Sequence, residues 1–302
     1  MLHVSSAVGI DTPGDHRTRC EAPLVVVHTH PATPLMPIKY LIRELLPLWR
    51  EMGIAAVEVP APAFVSSARV AIMHIDFTTP LPAYQRVASQ YRRALNSHVG
   101  SIEKRVISRH LVTRGDGYDG PVIVKTNANF GGVIDYQTTR WSRPWITLAS
   151  AARERLPWHC RARLRDKAYR IYNRVRDVPT PVWYNPDLVV ERLLCERDGD
   201  MYVLRSWNFL GDRGFIGVNR STSPIVQATT IVSRTLEHEP PPEIQQLRRD
   251  LNFDFGKFDF TIVDGVPHLL DANCTTTVGR ALAWPTFAER IRWLAPAIEQ
   301  FM

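Results

Sequence analysis

Four cysteines in 302 residues, at 20, 160, 195 and 274, are too few and too unevenly spaced for a disulfide framework or a paired zinc knuckle. They read as reduced, mostly structural residues, which favours the cytoplasm. No stretch approaches the roughly 18 to 20 apolar residues that a membrane-spanning helix needs. The first twenty residues lack the basic-then-apolar order of a secretory signal and read as a loose tail. Zinc fingers, aromatic RNA-binding motifs and helix-turn-helix signatures are missing, as are internal repeats and low-complexity tracts. Acidic residues are in deficit, 30 against 37 basic, for a net charge of +7. Much of that excess sits in one run, Arg161 to Arg176, and anionic small substrates explain basic surface as well as nucleic acid does. A nucleic-acid partner is therefore disfavoured.

What is present suffices for ordinary cores. The chain is 45% hydrophobic and 22% charged, and its length suits two or more domains. Leu24 to His28, Ala55 to Val59 and Ala71 to Phe77 are short apolar strand candidates. Between the first two, Ile38 to Met52 carries apolar residues at helical spacing, with Pro37 at its start, Gly53 at its end and Pro47 as a potential kink. Thr79-Pro80 opens a helix expected to run through Leu95, and Ser101 to Val112 reads as another. This alternation predicts a small α/β layer over 21–110, after the tail at 1–20.

A second domain, 111–302, begins near residue 110. It opens with the strand Pro121 to Lys125, followed by a segment from Asp135 to Pro181 expected to be helical with loops. Two strand pairs are predicted: Leu188 to Leu194 with Met201 to Phe209, and Lys257 to Val263 with Pro267 to Asp271. Asp264-Gly265 marks a hairpin turn between the latter two. A closing helix is expected within Ala281 to Glu299.

The most informative run is Asp254 to Gly279. Asp259 is an acid inside an apolar strand, and Asp271 and Asn273, two apart, share a strand face. The turn folds that face back toward Asp259. Three oxygen-bearing side chains together suit a hard cation, with magnesium keeping water and phosphate as further ligands. Strand-end acids that cap backbone or pair with arginines would give the same pattern, and spacing alone leaves both open.

Lys125 ends an apolar strand before a loop containing Gly131-Gly132, where a lysine can set its charge on phosphate oxygens. The glycine spacing of a Walker A loop is missing. Lys104 is a second candidate. Glu191 interrupts the apolar run Leu188 to Leu194 and could accept from an adenine amino group or ribose hydroxyls; pairing with Arg192 or Arg205 is the alternative. Arg205 and Arg220 stand on strands and could meet phosphate or a substrate carboxylate. His28, His30, His74 and Asp76 lie near strand ends of the first layer, where ligands bind in α/β folds, but a structural role is preferred for the histidines.

Taken together these residues resemble the ATP-grasp superfamily, in particular its carboxylate-amine ligases. The run at 257–273 is similar to that superfamily's acidic strand, turn and acid-x-Asn strand. The strand ending at Lys125 resembles its second nucleotide-lysine strand, and Leu188 to Leu194 its adenine-facing hinge. The resemblance covers about residues 96 to 280 and implies an α/β and α+β fold, an N-terminal α/β pre-ATP-grasp layer followed by an ATP-grasp domain. It implies ATP and Mg2+ as cofactors, with Asp259, Asp271 and Asn273 as metal ligands and Lys104, Lys125 and Glu191 on the nucleotide. Arg205 would then stand beside the transferred phosphate; Arg220, from its strand position alone, could meet phosphate or substrate carboxylate, and Arg280, in the run that departs from the family, could hold a substrate carboxylate. This chain departs from the family in the short gap of 21 positions between Lys104 and Lys125, in Asp271 where glutamate is usual, and in the run after Asn273.

The activity so implied joins a small-molecule or peptide carboxylate to an amine through an acylphosphate, releasing ADP and phosphate. A phosphotransferase acting on a small molecule and a non-catalytic nucleotide-binding module are the alternatives. A homo-oligomer is compatible with the sequence, which does not fix the oligomeric state.

Overall fold

In the computed structural model, residues 24–30, 38–132, 135, 152–164 and 168–302 are described. The tail at 1–20 with Cys20, and residues 136–151 and 165–167 of the 135–181 segment expected to be helical, lie outside them; the described part of that segment holds short helical turns and, against that expectation, a strand at 170–172. The cysteines among the described residues, Cys160, Cys195 and Cys274, are unbridged. No helix among these residues is long and apolar enough to cross a membrane.

β1 (Val25–Thr29) is buried at every position, as a strand covered on both faces must be. It pairs in parallel with β2 (Ala56–Pro60) and β3 (Val70–Met73), and the short β4 (Ala94–Leu95) completes the order β2-β1-β3-β4. α1 (Leu41–Glu51) buries Leu41, Ile42, Leu45, Leu46 and Trp49 and tolerates Pro47 internally. It starts three residues later than the periodicity predicts because Tyr40 is extended and bridges to Thr277. α2 (Pro82–Ala88) stops well short of Leu95, since Ala94 and Leu95 pair with β3. Asn96 then turns the chain at φ 59°, its amide bonding to Phe255 O at 2.8 Å and its carbonyl accepting from Asp254 N at 3.0 Å. The predicted helix over 101–112 reduces to one turn, α3 (Lys104–Ile107). Beyond it, the N–H of Val112 bonds to Val190 O at 2.8 Å.

β5 (Val122–Thr126) lies between β6 (Arg170–Tyr172) and β7 (Leu188–Arg192) in an antiparallel three-stranded sheet. The short helix α4 (Thr180–Trp183) precedes β7. The larger sheet holds β9 (Met201–Leu210), β10 (Arg213–Ser221), β11 (Ile231–Glu237), β12 (Phe255–Val263) and β13 (Val266–Asn273), in the order β11-β10-β9-β12-β13. β8 (Glu196–Asp198) pairs with the start of β9.

The expected pairing of 188–194 with 201–209 does not form. β7 instead joins β5, and residues 193–195 carry the chain across to the other sheet. The hairpin at Asp264-Gly265 forms as expected, with φ of 51° and 77°, the left-handed values of a tight two-residue turn. β10 was anticipated only as a strand around Arg220, and β11 and α5 (Pro242–Asp250) were not among the predicted elements.

The first layer does not close its own core. Val25, Val27, Leu45 and Trp49 pack with Leu210, Phe215 and Phe255 of the large sheet and with α6 (Pro285–Leu294). The Trp49 indole donates to Ala295 O at 2.9 Å. A second cluster, including Trp207, Phe209 and Phe258, backs the large sheet on its α5 side.

His74 is buried between the rings of Tyr40 and Phe255, at 5.0 and 6.1 Å. Burial, helped by the Arg43 charge, lowers its pKa from 6.5 to about 3. The unfolded chain therefore takes up a proton as pH falls below 6.5 while the folded chain does not. Stability from this group is complete above pH 6.5 and is lost toward pH 3. At about 1.4 kcal/mol per pH unit, roughly 2 kcal/mol should go by pH 5. Urea midpoints at pH 7 and pH 5 check this; His74→Gln should narrow the gap between them.

Candidate active site

Antiparallel pairing sets Asp259 of β12 directly opposite Asp271 of β13, and Lys257 opposite Asn273. Directly opposed residues point the same way with Cβ atoms about 5 Å apart, so the two carboxylates face each other across the ladder. On the reverse face Phe258 and Ala272 enter the core. Gly256 allows β13 to come close: a Cβ there would lie 2.6 Å from Asn273 O.

Two further polar strands extend this face. Ser206 of β9 opposes Asp259 and donates its hydroxyl to Oδ1 at 2.6 Å. Asn219 of β10 donates to Ser206 Oγ at 3.2 Å, and Arg234 of β11 donates to Asn219 Oδ1 at 2.6 Å. A hydrogen-bonded strip thus runs across the sheet from Arg234 to Asp259. Lys257, Ser206, Asn219 and Arg234 escape sequence reading because only the pairing register reveals their shared face.

Three lysines meet the acids. Lys104, 3% exposed at the head of α3, contacts Asp271 Oδ1 at 2.5 Å. Lys257 Nζ stands 2.8 Å from Asp259 Oδ2. Across the cleft, Lys125 of β5 pairs with Glu191 of β7 at 2.7 Å. Burial alone would raise the Glu191 pKa, but the Lys125 charge and hydrogen bond hold it below the usual carboxylate value. The opposite holds at Lys257, where burial works to lower the pKa and Asp259 holds it up.

Lys104, Lys125, Asp259 and Asp271 line one cleft between the two antiparallel sheets. The crossing segment Arg192 to Cys195 forms one wall, with Tyr202 and Ile225 nearby. Tyr169 also lines it, and burial and then the charges of Asp271, Glu191 and Asp259 push its phenol pKa up.

The sequence-derived arginines are placed elsewhere. Arg205 neighbours Ser206 in β9 and so faces the opposite side of the sheet, where it pairs with Glu196 at 2.6 Å and with Glu237. Arg220 follows Asn219, faces away likewise, and pairs with Asp198 at 2.7 Å. Arg280 lies in the 3-10 segment Gly279–Ala283, and its side chain falls outside the described residues.

Among the described residues no group of three or more His, Cys, Asp and Glu is arranged to hold a metal. The hairpin offers two carboxylates and an amide. That set suits magnesium, which draws one or two carboxylates from protein and its other ligands from phosphate and water. Asn273 Oδ1 already accepts from the N–H and hydroxyl of Thr275, at 2.8 and 2.9 Å, so it is the least available of the three.

No family model matches the chain, and no curated protein does. Among solved structures, it is similar to the macrocyclase MdnC bound with precursor peptide MdnA from Microcystis aeruginosa, at 8% identity and TM-score 0.48, covering 91% of this chain and 99% of that one. It is similar also to the D-cycloserine synthetase DcsG, at 14% and 0.45, covering 92% and 100%. A RimK domain ATP-grasp protein from Sphaerobacter thermophilus follows at 12% and 0.42, covering 90% and 99%. The likeness is distant at these values, and the chemistry is read from this chain's own side chains.

Removing Lys125 would leave Glu191 buried without its cation. Lys125→Met should cost about 3–5 kcal/mol at pH 7, and Glu191→Gln in the same chain should restore most of it. In the parent, the Glu191 contribution is present above its unfolded pKa near 4.5 and is lost as pH falls through the lower folded value. In Lys125→Met the slope should reverse, stability rising from pH 7 toward pH 5 as the carboxyl takes a proton. Denaturant midpoints across that range give the sign.

Proposed function

We propose that this chain is an ATP-grasp ligase that joins a carboxylate to an amine through an acylphosphate. The observation that carries this is the convergence of Lys104 and Lys125 with Asp259 and Asp271 in one cleft. Cations for phosphate and oxygen ligands for magnesium are thereby set within one volume.

In this reading each salt bridge of the cleft exchanges partners when nucleotide enters. Lys104 and Lys125 turn from carboxylates to phosphate oxygens, while Asp259 and Asp271, with Asn273, hold magnesium. Magnesium so held would offset charge on the phosphoryl group in transfer. The crossing segment 192–195 supplies backbone and apolar wall for the adenine, with Glu191 beside it. A substrate carboxylate oxygen attacks the γ-phosphorus, the bond to the bridging oxygen breaks, and ADP leaves. The amine then attacks the acyl carbon and expels phosphate. Lys257 and Arg234 stand on the acid face of the sheet and are placed to hold negative charge as it shifts between these groups, with Arg205 and Arg220 bracing the opposite face. Preorganised charge of this kind carries most of such a barrier once water is excluded.

The purified protein incubated with ATP, magnesium and pooled amino acids and short peptides should yield ADP, phosphate and a product lighter by one water than its two precursors. Asp271→Asn should cut the rate to below about one hundredth, the scale expected for losing a charge-stabilising group. AMP with pyrophosphate would contradict the acylphosphate route. A product gaining only a phosphoryl group would move the assignment to a phosphotransferase.

A further inference from the structure

A second polar cluster adjoins the hairpin and belongs to no part of the nucleotide cleft. It forms where the carboxyl ends of β1 and β3 meet the start of α1 and the loop after β13. In open α/β layers that edge is where ligands bind. Tyr40, just before α1, donates its hydroxyl to Asp76 Oδ2 at 2.9 Å. The Thr275 hydroxyl is shared between Asp76 and Asn273 Oδ1, the latter at 2.9 Å. Asp76 is thus one side chain removed from the proposed metal ligands.

Several polar atoms of this cluster have no partner although they are buried. They are both ring nitrogens of His74, Thr29 Oγ1 and Thr276 Oγ1. None of the three residues is more than 1% exposed. Thr29 continues the β1 face of Val25 and Val27, and His74 continues the β3 face of Val70 and Ile72, so both point to the α1 side. Thr276 is tied to the same helix through its carbonyl, which accepts from Leu41 N at 2.8 Å. Buried orphaned polar atoms are rare in native proteins, and a bound group that supplies their hydrogen bonds is one explanation.

Charge identifies that group. Asp76 is the ionisable acid of the cluster, and a second carboxylate, Asp135, adds negative potential at it while accepting from Thr78 N at 2.9 Å. Arg43, whose charge reaches His74, is bound by both its Nε and Nη2 to Glu58, at 3.1 and 2.9 Å. Lys257 of the hairpin and Lys104 of α3 are engaged by Asp259 and Asp271. Among the described residues, the charges felt at Asp76 and His74 are those of Asp135 and of the paired Arg43, a balance that suits a positively charged donor over a carboxylate. A primary ammonium, with three N–H groups, matches a carboxylate, a neutral imidazole nitrogen and a hydroxyl.

We propose that Asp76 and His74, with Thr29 and Thr276, form the binding site for a primary ammonium group, that of the amine acceptor. The acceptor role rests on the ligase reading above; the preference for an ammonium does not. Through Thr275 the site touches Asn273, which sets the amine next to the place where an acylphosphate would form.

The test titrates the full chain, carrying 13Cε1-labelled histidine, with glycinamide as a small ammonium probe. Acetamide (uncharged) and acetate (anionic) serve as comparators, and His74→Gln assigns the signal by its loss. Saturable movement of the His74 signal with glycinamide alone is expected, and Asp76→Asn should weaken it at least about tenfold. A silent His74 signal, equal response to acetamide or acetate, or unchanged affinity in Asp76→Asn would overturn the proposal. The parent chain's discrimination among the three probes decides the matter even if Asp76→Asn does not fold. A magnesium-bound, non-hydrolysable ATP analogue is titrated separately; failure to bind it would remove the ligase reading and leave the ammonium site standing on glycinamide.

Discussion

The cleft depends on lysine and carboxylate neutralising one another in a place that water largely leaves. Lys104 with Asp271, Lys257 with Asp259, and Lys125 with Glu191 make three pairs around the cleft. An unpaired charge at Lys104 or Glu191, each almost fully buried, would cost several kcal/mol. Paired, the same groups are, on the proposed reading, a stored set of cations for phosphate and anions for a metal. On that reading, a ligand carrying polyphosphate and a divalent cation supplies new partners to Lys104, Lys125, Asp259 and Asp271, and the nucleotide's own donors would have to take up Glu191. Function and stability therefore meet on the same side chains, and loss of either partner is felt by both.

The large sheet turns this chemistry into geometry. Its register brings Asp259 to Asp271 and extends the polar face to Ser206, Asn219 and Arg234, while Trp207, Phe209 and Phe258 anchor the other face. The first layer is held to the same sheet through Trp49, Phe215 and Phe255. That shared core fixes Asp76 and His74 against the loop after Asn273. The proposed nucleotide and ammonium sites thus both adjoin the β12–β13 strand pair.

Sequence patterns disclosed the hairpin because its signals are local: Asp264-Gly265 sets the turn, and the spacing of Asp271 and Asn273 sets the face. Lys104 and Lys125 were visible as residue types, and their meeting with Asp271 and Glu191 is tertiary. The partner of β7 was not legible, since an antiparallel neighbour is chosen by the whole sheet and not by proximity in sequence. The same limit governs Arg205 and Arg220. One residue of offset in a strand reverses the face, and only pairing with β12 places Ser206, and not Arg205, beside Asp259. Arg234 lay on a strand that composition did not announce. His74 looked structural because burial of a histidine is ordinary; its unpartnered nitrogens become informative only once its surroundings are known.

On the proposed reading, the salt bridges of the cleft exchange partners on nucleotide binding. A high-resolution crystal structure with magnesium and a non-hydrolysable ATP analogue tests it most directly. The claim predicts phosphate oxygens against Lys104 and Lys125, magnesium between Asp259 and Asp271, and the Lys104–Asp271 contact opened from 2.5 Å. Nucleotide bound elsewhere, or bound with that pair intact, would contradict it.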